Sequence, residues 1–196
     1  FVIHDGEILN FDTDIQKSNV GDVDLIYKEN AENERFKLNY ILDMGTDHDK
    51  RLALAVDYLK FLGTADMTPS DKAKEFYKLG CDLSVNCSAD KIQVTLSGLA
   101  NNFNESVQLF EEILANAVAD EEALVELKAT KLKGRADAKL NRQTILWRAM
   151  GNYAKYGTNS SFMNILSKQE LDSVSSTELL DLIHNLTTYK HRILYY

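Results

Sequence analysis

The sequence predicts an α+β domain, an antiparallel β-sheet with helices packed on one of its faces. Two periodicities predict it. In several short runs apolar residues alternate with polar ones, the period of half-buried strands. Elsewhere they recur every third or fourth residue, the period of amphipathic helices. The order supplies a third observation: strands, two helices, a hairpin, several helices, then a strand. That is the order of a sheet covered by helices, without the regular βαβ alternation of a parallel sheet.

The first strand spans 23–28, where Val23, Leu25 and Tyr27 alternate with Asp24 and Lys28. Asn30 to Glu34 is a polar turn. Phe36, Leu38, Tyr40 and Leu42 then alternate with Lys37, Asn39 and Asp43 up to Gly45, so these two strands read as an antiparallel hairpin. Thr46 to Asp49 offer N-cap candidates for a helix reaching about Leu62. Its stripe Leu52, Ala55, Val56, Leu59 and Leu62 lies beside a second, Leu54, Tyr58 and Phe61. A helix apolar over more than half its circumference belongs deep in the domain.

Thr68-Pro69-Ser70-Asp71 is a helix start, with a Thr cap, proline at the first helical position and an acid soon after. That helix ends at Gly80. In the hairpin that follows, Leu83, Val85, Cys87, Ile92, Val94 and Leu96 face one way. Ser84, Asn86, Gln93 and Thr95 face the other. Beyond Asn104 the pattern stays helical. Val107, Phe110, Ile113, Leu114 and Ala117 mark one helix, and Asp120 caps a long charged one. Ile145, Leu146, Ala149, Met150 and Tyr153 mark another, closed by Gly157. Ser167-x-x-Glu170 and Ser175-x-x-Glu178 have capping-box spacing and open two short helices. Residues 189–196 return to strand.

The 196 residues are 44% hydrophobic and 27% charged, with one proline, as expected of a globular domain with a real core. A net charge of −8, with basic residues interspersed among acids, argues against nucleic acid, whose phosphates need clustered Lys and Arg. No apolar run approaches bilayer-spanning length, so a soluble chain of undetermined compartment is expected. The sequence starts at Phe1 and closes on a strand, and reads as a domain cut from a longer chain. Residues 1–19 read as a lead-in from a preceding domain or linker, and 20–196 as the domain proper. Cys81 and Cys87 lie about 20 Å apart along a strand at about 3.3 Å per residue, beyond disulfide reach.

Leu42-Asp43-Met44-Gly45 ends a strand, and Phe61-Leu62-Gly63-Thr64 closes the first long helix. Leu79-Gly80 leads into the hairpin and Ser97-Gly98-Leu99 closes it. Later a Tyr-x-x-x-Gly precedes Ser161-Phe162. In order and spacing this resembles the repeated domain of the insulinase/pitrilysin-type zinc peptidases, from about residue 20 onward. Active members carry His-x-x-Glu-His on this helix, shortly before a Gly-Thr. Its two histidines bind zinc, its Glu activates water and a distant Glu completes the metal site. Aligned on Gly63-Thr64, those positions hold Leu54, Asp57 and Tyr58, and the distant Glu falls near Gly134-Arg135.

The resemblance therefore implies a degenerate, non-zinc-binding domain. Family members pair an active with a degenerate half, closing as a clamshell around an unfolded peptide. The expected role is a non-catalytic domain of a zinc metalloendopeptidase, forming part of the peptide-enclosing chamber and contacting the other domains of the parent peptidase. No cofactor is expected in this domain, and zinc is expected elsewhere in the parent chain. Ser84, Asn86, Gln93 and Thr95 would line the chamber. A structural or binding module of the same fold that has left proteolysis is the second reading.

Other residues carry weaker signals. Asp57 is a helix residue before it is a relic base, which would need an activating partner. His4, His48, His184 and His191 lack ligand spacing and read as surface histidines. The cysteines read as small core or edge residues. Tyr153 and Tyr156 read as core, and Arg142 and Arg148 as solvated helix positions. No nucleophile–base pair or phosphate loop marks a free-standing enzyme of another kind.

Overall fold

The computed structural model describes Asn10, residues 13–160 and residues 163–196. His4 and the Ser161-Phe162 pair lie outside the described residues. The described strands form one six-stranded sheet in the order β1-β2-β6-β3-β5-β4. They are β1 (Gln16–Val20), β2 (Val23–Tyr27), β3 (Arg35–Leu42), β4 (Asp82–Cys87), β5 (Ile92–Leu99) and β6 (His191–Tyr195). All pairings are antiparallel except β2 with β6, which run parallel.

The β4–β5 hairpin has the register that its alternation requires. Leu83 faces Leu96, Val85 faces Val94 and Cys87 faces Ile92, all on the covered side. The expected β2–β3 hairpin does not form. β6 lies between the two strands, pairing parallel with β2 and antiparallel with β3. Alternation fixes which face of a strand is buried, not which strand lies next to it. A connection as long as 28–34 can span one intervening strand, a gap of about 10 Å at the usual strand spacing. β1 starts before residue 20 and pairs with β2 through the two-residue turn Gly21-Asp22, with Gly21 at a φ of 60°.

Helices α1 (Arg51–Leu59), α2 (Pro69–Lys78), α3 (Phe103–Asn116), α4 (Glu121–Leu140) and α7 (Ser176–His184) supply most of the helical layer. α1 is buried through Leu52, Leu54, Ala55, Val56, Tyr58 and Leu59, and packs against β4, α4 and α7. Its first turn has no side-chain cap from its N-cap residue. Instead Asp49 accepts the Arg51 N–H at 2.8 Å. Past Leu59 the chain tightens, with Leu62 N–H donating to the Leu59 carbonyl. Buried Lys72 on α2 donates its ammonium to the carbonyls of Leu59 (3.2 Å) and Leu62 (2.5 Å), placing a cation at the negative end of α1.

Thr68 caps α2 through the Asp71 N–H, and Asp120 caps α4 through the Ala123 N–H. Both reciprocal capping boxes form, Ser167 with Glu170 at α6 (Lys168–Ser173) and Ser175 with Glu178 at α7.

The helix marked by Ile145 to Tyr153 departs from expectation. It begins as π-helix over Thr144–Met150, continues as α5 (Gly151–Tyr156) and ends at Gly157, whose φ is 61°. No residue on it is buried. Tyr153 and Tyr156, expected in the core, are 64% and 51% exposed, and Trp147 is 74% exposed. The pattern is amphipathic, yet its apolar face has no partner among the described residues.

Candidate functional site

α1 brings the three positions that the resemblance sets against a zinc motif, Leu54, Asp57 and Tyr58, to the centre of the molecule. Leu54 and Tyr58 sit one turn apart on the same face, and both are buried. The Tyr58 hydroxyl donates to the Asp120 carbonyl at 2.8 Å and accepts the Asp120 N–H at 2.7 Å. One phenol thus fastens α1 to the cap of α4. Asp57 lies between two ammonium groups. Lys60 bonds Oδ1 at 2.8 Å, and Lys131 on α4 makes a very short contact with Oδ2. Burial works against the Asp57 carboxylate, but the bonds from Lys131 and Lys60 outweigh it and hold its pKa below the ordinary value.

This arrangement is poorly matched to a water-activating base. An efficient base has a pKa near the operating pH, whereas Asp57 is a low-pKa anion already claimed by two cations. Among the described residues no group of three or more His, Cys, Asp or Glu is placed to hold a metal ion. The cysteines offer no nucleophile either. Burial raises both thiols, Cys87 to about 11, and both are free.

α4 reaches the motif at Lys131, one turn before Gly134-Arg135. Arg135 instead donates to the Leu166 carbonyl at 2.7 Å. The signal for Lys131 is present in the sequence, since Leu124, Leu127 and Lys131 continue one helical stripe and the first two are buried.

Cycles of Asp57→Asn and Lys131→Met test the pair. We expect a coupling of about 1 kcal/mol, modest because Lys131 is 39% exposed. The sign with pH follows from the depressed carboxylate. The stability it contributes is present above the unfolded Asp pKa, near 3.8, and is lost as pH falls through the lower folded value. Urea titrations of the four proteins at pH 7 and pH 3 would show it. A coupling that is zero at neutral pH removes the pair from the account.

On the opposite face of the sheet, Ser84, Asn86 and Gln93 are exposed and Thr95 is half-buried. Gln93 and Thr95 converge on Asn39 of β3. Gln93 Nε2 donates to Asn39 Oδ1 at 3.0 Å, and the Thr95 hydroxyl donates to the same oxygen at 2.9 Å. Asn39 is only 6% exposed although it lies on the open side. Sequence reasoning places the hairpin row on one face but misses Asn39 as its anchor. Alternation from Lys37 to Asn39 is the available sign.

Arg142 and Arg148 are exposed, as expected of solvated helix positions. His48 is exposed too, but His184 and His191 are half-buried, because α7 and β6 carry them inward.

A six-stranded sheet with one parallel pair, covered on one side by helices, is the fold of the insulinase-type, or M16, peptidase domains. No family model and no curated protein sequence matches the chain, but solved structures do. The peptidase M16 inactive domain from Pseudomonas fluorescens aligns with 92% of this chain at a TM-score of 0.74 and 19% identity. The periplasmic protease PqqL from Escherichia coli covers 98% at 0.68 and 13%. A point mutant of the ferredoxin protease FusC, in complex with Arabidopsis ferredoxin, covers 93% at 0.74 and 13%.

At these identities the likeness is one of fold, and at that level the resemblance read from the sequence is borne out. The chain spans 46%, 24% and 21% of those three chains, less than half of each. No helix among the described residues is long and apolar enough to cross a membrane.

Proposed function

We propose that this chain is a non-catalytic domain of an insulinase-like zinc metallopeptidase, with 20–196 as the domain proper and 1–19 as a lead-in whose last residues join its sheet as part of β1. It contributes wall to a peptide-enclosing chamber and packs against other domains of a longer protein. The observation that carries this reading is the open apolar face of residues 144–156. Trp147, Met150, Tyr153 and Tyr156 stand in solvent, and Met163 beside them is also exposed. Met150, Tyr153, Ala154 and Met163 line one apolar groove. Soluble proteins rarely expose so much contiguous apolar surface unless it docks against something. The occupant proposed is a neighbouring domain of the same longer chain, since the aligned structures extend far beyond this chain's length. Where an active site should be, Leu54, Asp57 and Tyr58 are committed to packing and ion pairing.

In the proposed arrangement Ser84, Asn86, Gln93 and Thr95 face an unfolded peptide, held by its backbone and polar groups. Zinc belongs to another domain. The test measures zinc and quenched-peptide cleavage for this chain and for the longer protein. The chain alone is expected to bind no stoichiometric zinc and cleave nothing, while the longer protein cleaves in a chelator-sensitive way. Hydrogen exchange over 144–156 is expected to slow at least tenfold in the longer protein, the equivalent of about 1.4 kcal/mol of added local protection. Chelator-sensitive cleavage by the chain alone, or equal exchange in both, overturns the reading. A longer protein without a zinc motif would favour the second reading, a structural or binding module.

A further inference from the structure

Charge is distributed unevenly along this chain. From Lys128 to Tyr156 eight basic residues stand against a single acid, Asp137, in a molecule of net charge −8. That segment is therefore +7 and the rest of the chain −15. Part of the excess is used inside the fold. Lys131 pairs with Asp57, Lys128 donates to the Asp172 and Val174 carbonyls, and Arg135 donates to that of Leu166. Arg142, Arg148 and Lys155 are exposed, and none is ion-paired with a described carboxylate. Elsewhere exposed helical lysines have an acid one turn away, as in Lys60–Asp57, Lys74–Asp71 and Lys78–Glu75.

The helix dipole accounts for only some of these cations. It favours Lys139 in the last turn of α4 and Lys155 in that of α5. Arg142 lies past Asn141, the C-cap of α4, and Arg148 sits inside a helical segment that runs on to Tyr156. The two arginines stand on either side of the exposed Trp147, and the groove lined by Met150, Tyr153 and Ala154 follows directly. Aromatic residues, Met and Arg are enriched where proteins dock, and Trp, Tyr and Arg carry most of the binding energy. The groove encloses about 420 Å³. A concave apolar space of this kind takes a protruding side chain, which another polypeptide offers and a bilayer surface does not.

We propose that the neighbouring domain seated on this face presents carboxylates to Arg142 and Arg148, around an apolar side chain that enters the groove. The inference rests on the domain reading above and adds the partner's chemistry. Both positions hold Arg, whose planar fork pairs bidentately with a carboxylate. Complementary charge of this kind fixes the register of docking and rejects wrong partners by setting like charges together.

The test is hydrogen exchange over 144–156 in the longer protein, with the chain alone as the undocked reference. Arg142→Glu with Arg148→Glu should remove about tenfold or more of the protection that the longer protein gives. Arg142→Met with Arg148→Met should remove less, about threefold to tenfold, because it deletes the attraction without adding repulsion. Raising salt from about 0.05 to 0.5 M should lower wild-type protection severalfold and lower that of the Met variant less, since screening acts on charge. Lys17→Glu with Lys91→Glu makes the same change of net charge on β1 and in the β4–β5 turn, and should leave protection as in wild type. Both arginines are exposed, so the chain alone should melt at the wild-type temperature in every variant. Full protection in the Glu variant overturns the proposal and leaves the domain reading in place, whereas no protection in the wild-type longer protein removes both. The proposal is also overturned if the chain alone binds phosphatidylserine vesicles or a DNA duplex through the same two arginines.

Discussion

Gly63→Ala is expected to be one of the most damaging small substitutions in the molecule, costing about 3–5 kcal/mol. A Cβ on Gly63 would stand 2.2 Å from the Met67 carbonyl oxygen and 3.2 Å from the Pro69 Cδ. The obstacle is backbone, so no side-chain rotation relieves it. The segment cannot yield cheaply either. Thr64 N–H donates to that same carbonyl at 2.9 Å, and the Gly63 carbonyl accepts the Val118 N–H at 3.0 Å. A shift of Met67 would also drag Thr68, the cap of α2. The Gly-Thr pair therefore ties the end of α1 to the end of α3 and the start of α2. Gly134→Ala is the internal control. Nothing lies within 4 Å of its Cβ, and it sits inside α4, so it should stabilise by about 0.5–1 kcal/mol. Urea midpoints of the two variants should move in opposite directions. A Gly63→Ala protein within about 1 kcal/mol of wild type would show that the close approach is not real.

How far the sequence foretells this structure varies from element to element, for definite reasons. The β4–β5 hairpin can be read to the residue, because strict alternation and a short turn leave one register that buries the apolar set. The capping boxes can be read as well, since each is a local exchange between a Ser and a Glu three residues on. β1 escapes such reading. Its residues are all exposed, so it has no apolar alternation, and its one signal is the Gly21-Asp22 turn. The insertion of β6 between β2 and β3 depends on a strand more than 140 residues away in sequence. No local pattern reports a pairing of that kind.

The apolar stripe of 144–156 shows a different limit. Periodicity marks a face as apolar but not what it meets, and here no described residue covers it. The candidate site divides in the same way. Leu54, Asp57 and Tyr58 are placed by spacing from Gly63-Thr64. The residue that answers Asp57 across the helix pair needs the rotation of α4 and comes out at Lys131, one turn from the neighbourhood that counting gives. Single-residue counts between elements accumulate error, whereas a buried stripe carries its own phase.

Tyr58→Phe is expected to lower stability by about 1.5–3 kcal/mol, from the removal of one oxygen atom. The ring is completely buried and stays so, which separates the hydrogen bonds from the packing. What is lost is the hydroxyl's double role, donating to the Asp120 carbonyl and accepting the Asp120 N–H. Both backbone groups then sit beside an apolar ring edge at the first turn of α4. For a chain of this length the cost corresponds to a fall in thermal midpoint of about 5–10 °C. Tyr58→Ala should cost more, about 3–5 kcal/mol, by adding a cavity in the core. The comparison bears on how α1 and α4 are held together as well as on stability. A metal bound by two side chains one turn apart on a helix cross-links that helix to whatever supplies its other ligands. Here a phenol on the α4 cap and the Asp57–Lys131 pair do the fastening with protein groups alone. If Tyr58→Phe unfolds at the same urea midpoint as wild type, the Asp120 bonds are not a fastening and only the ring matters. If it loses the expected stability while Asp57→Asn loses about 1 kcal/mol, α1 is held to α4 chiefly through Tyr58, the position where the resemblance puts the second zinc ligand.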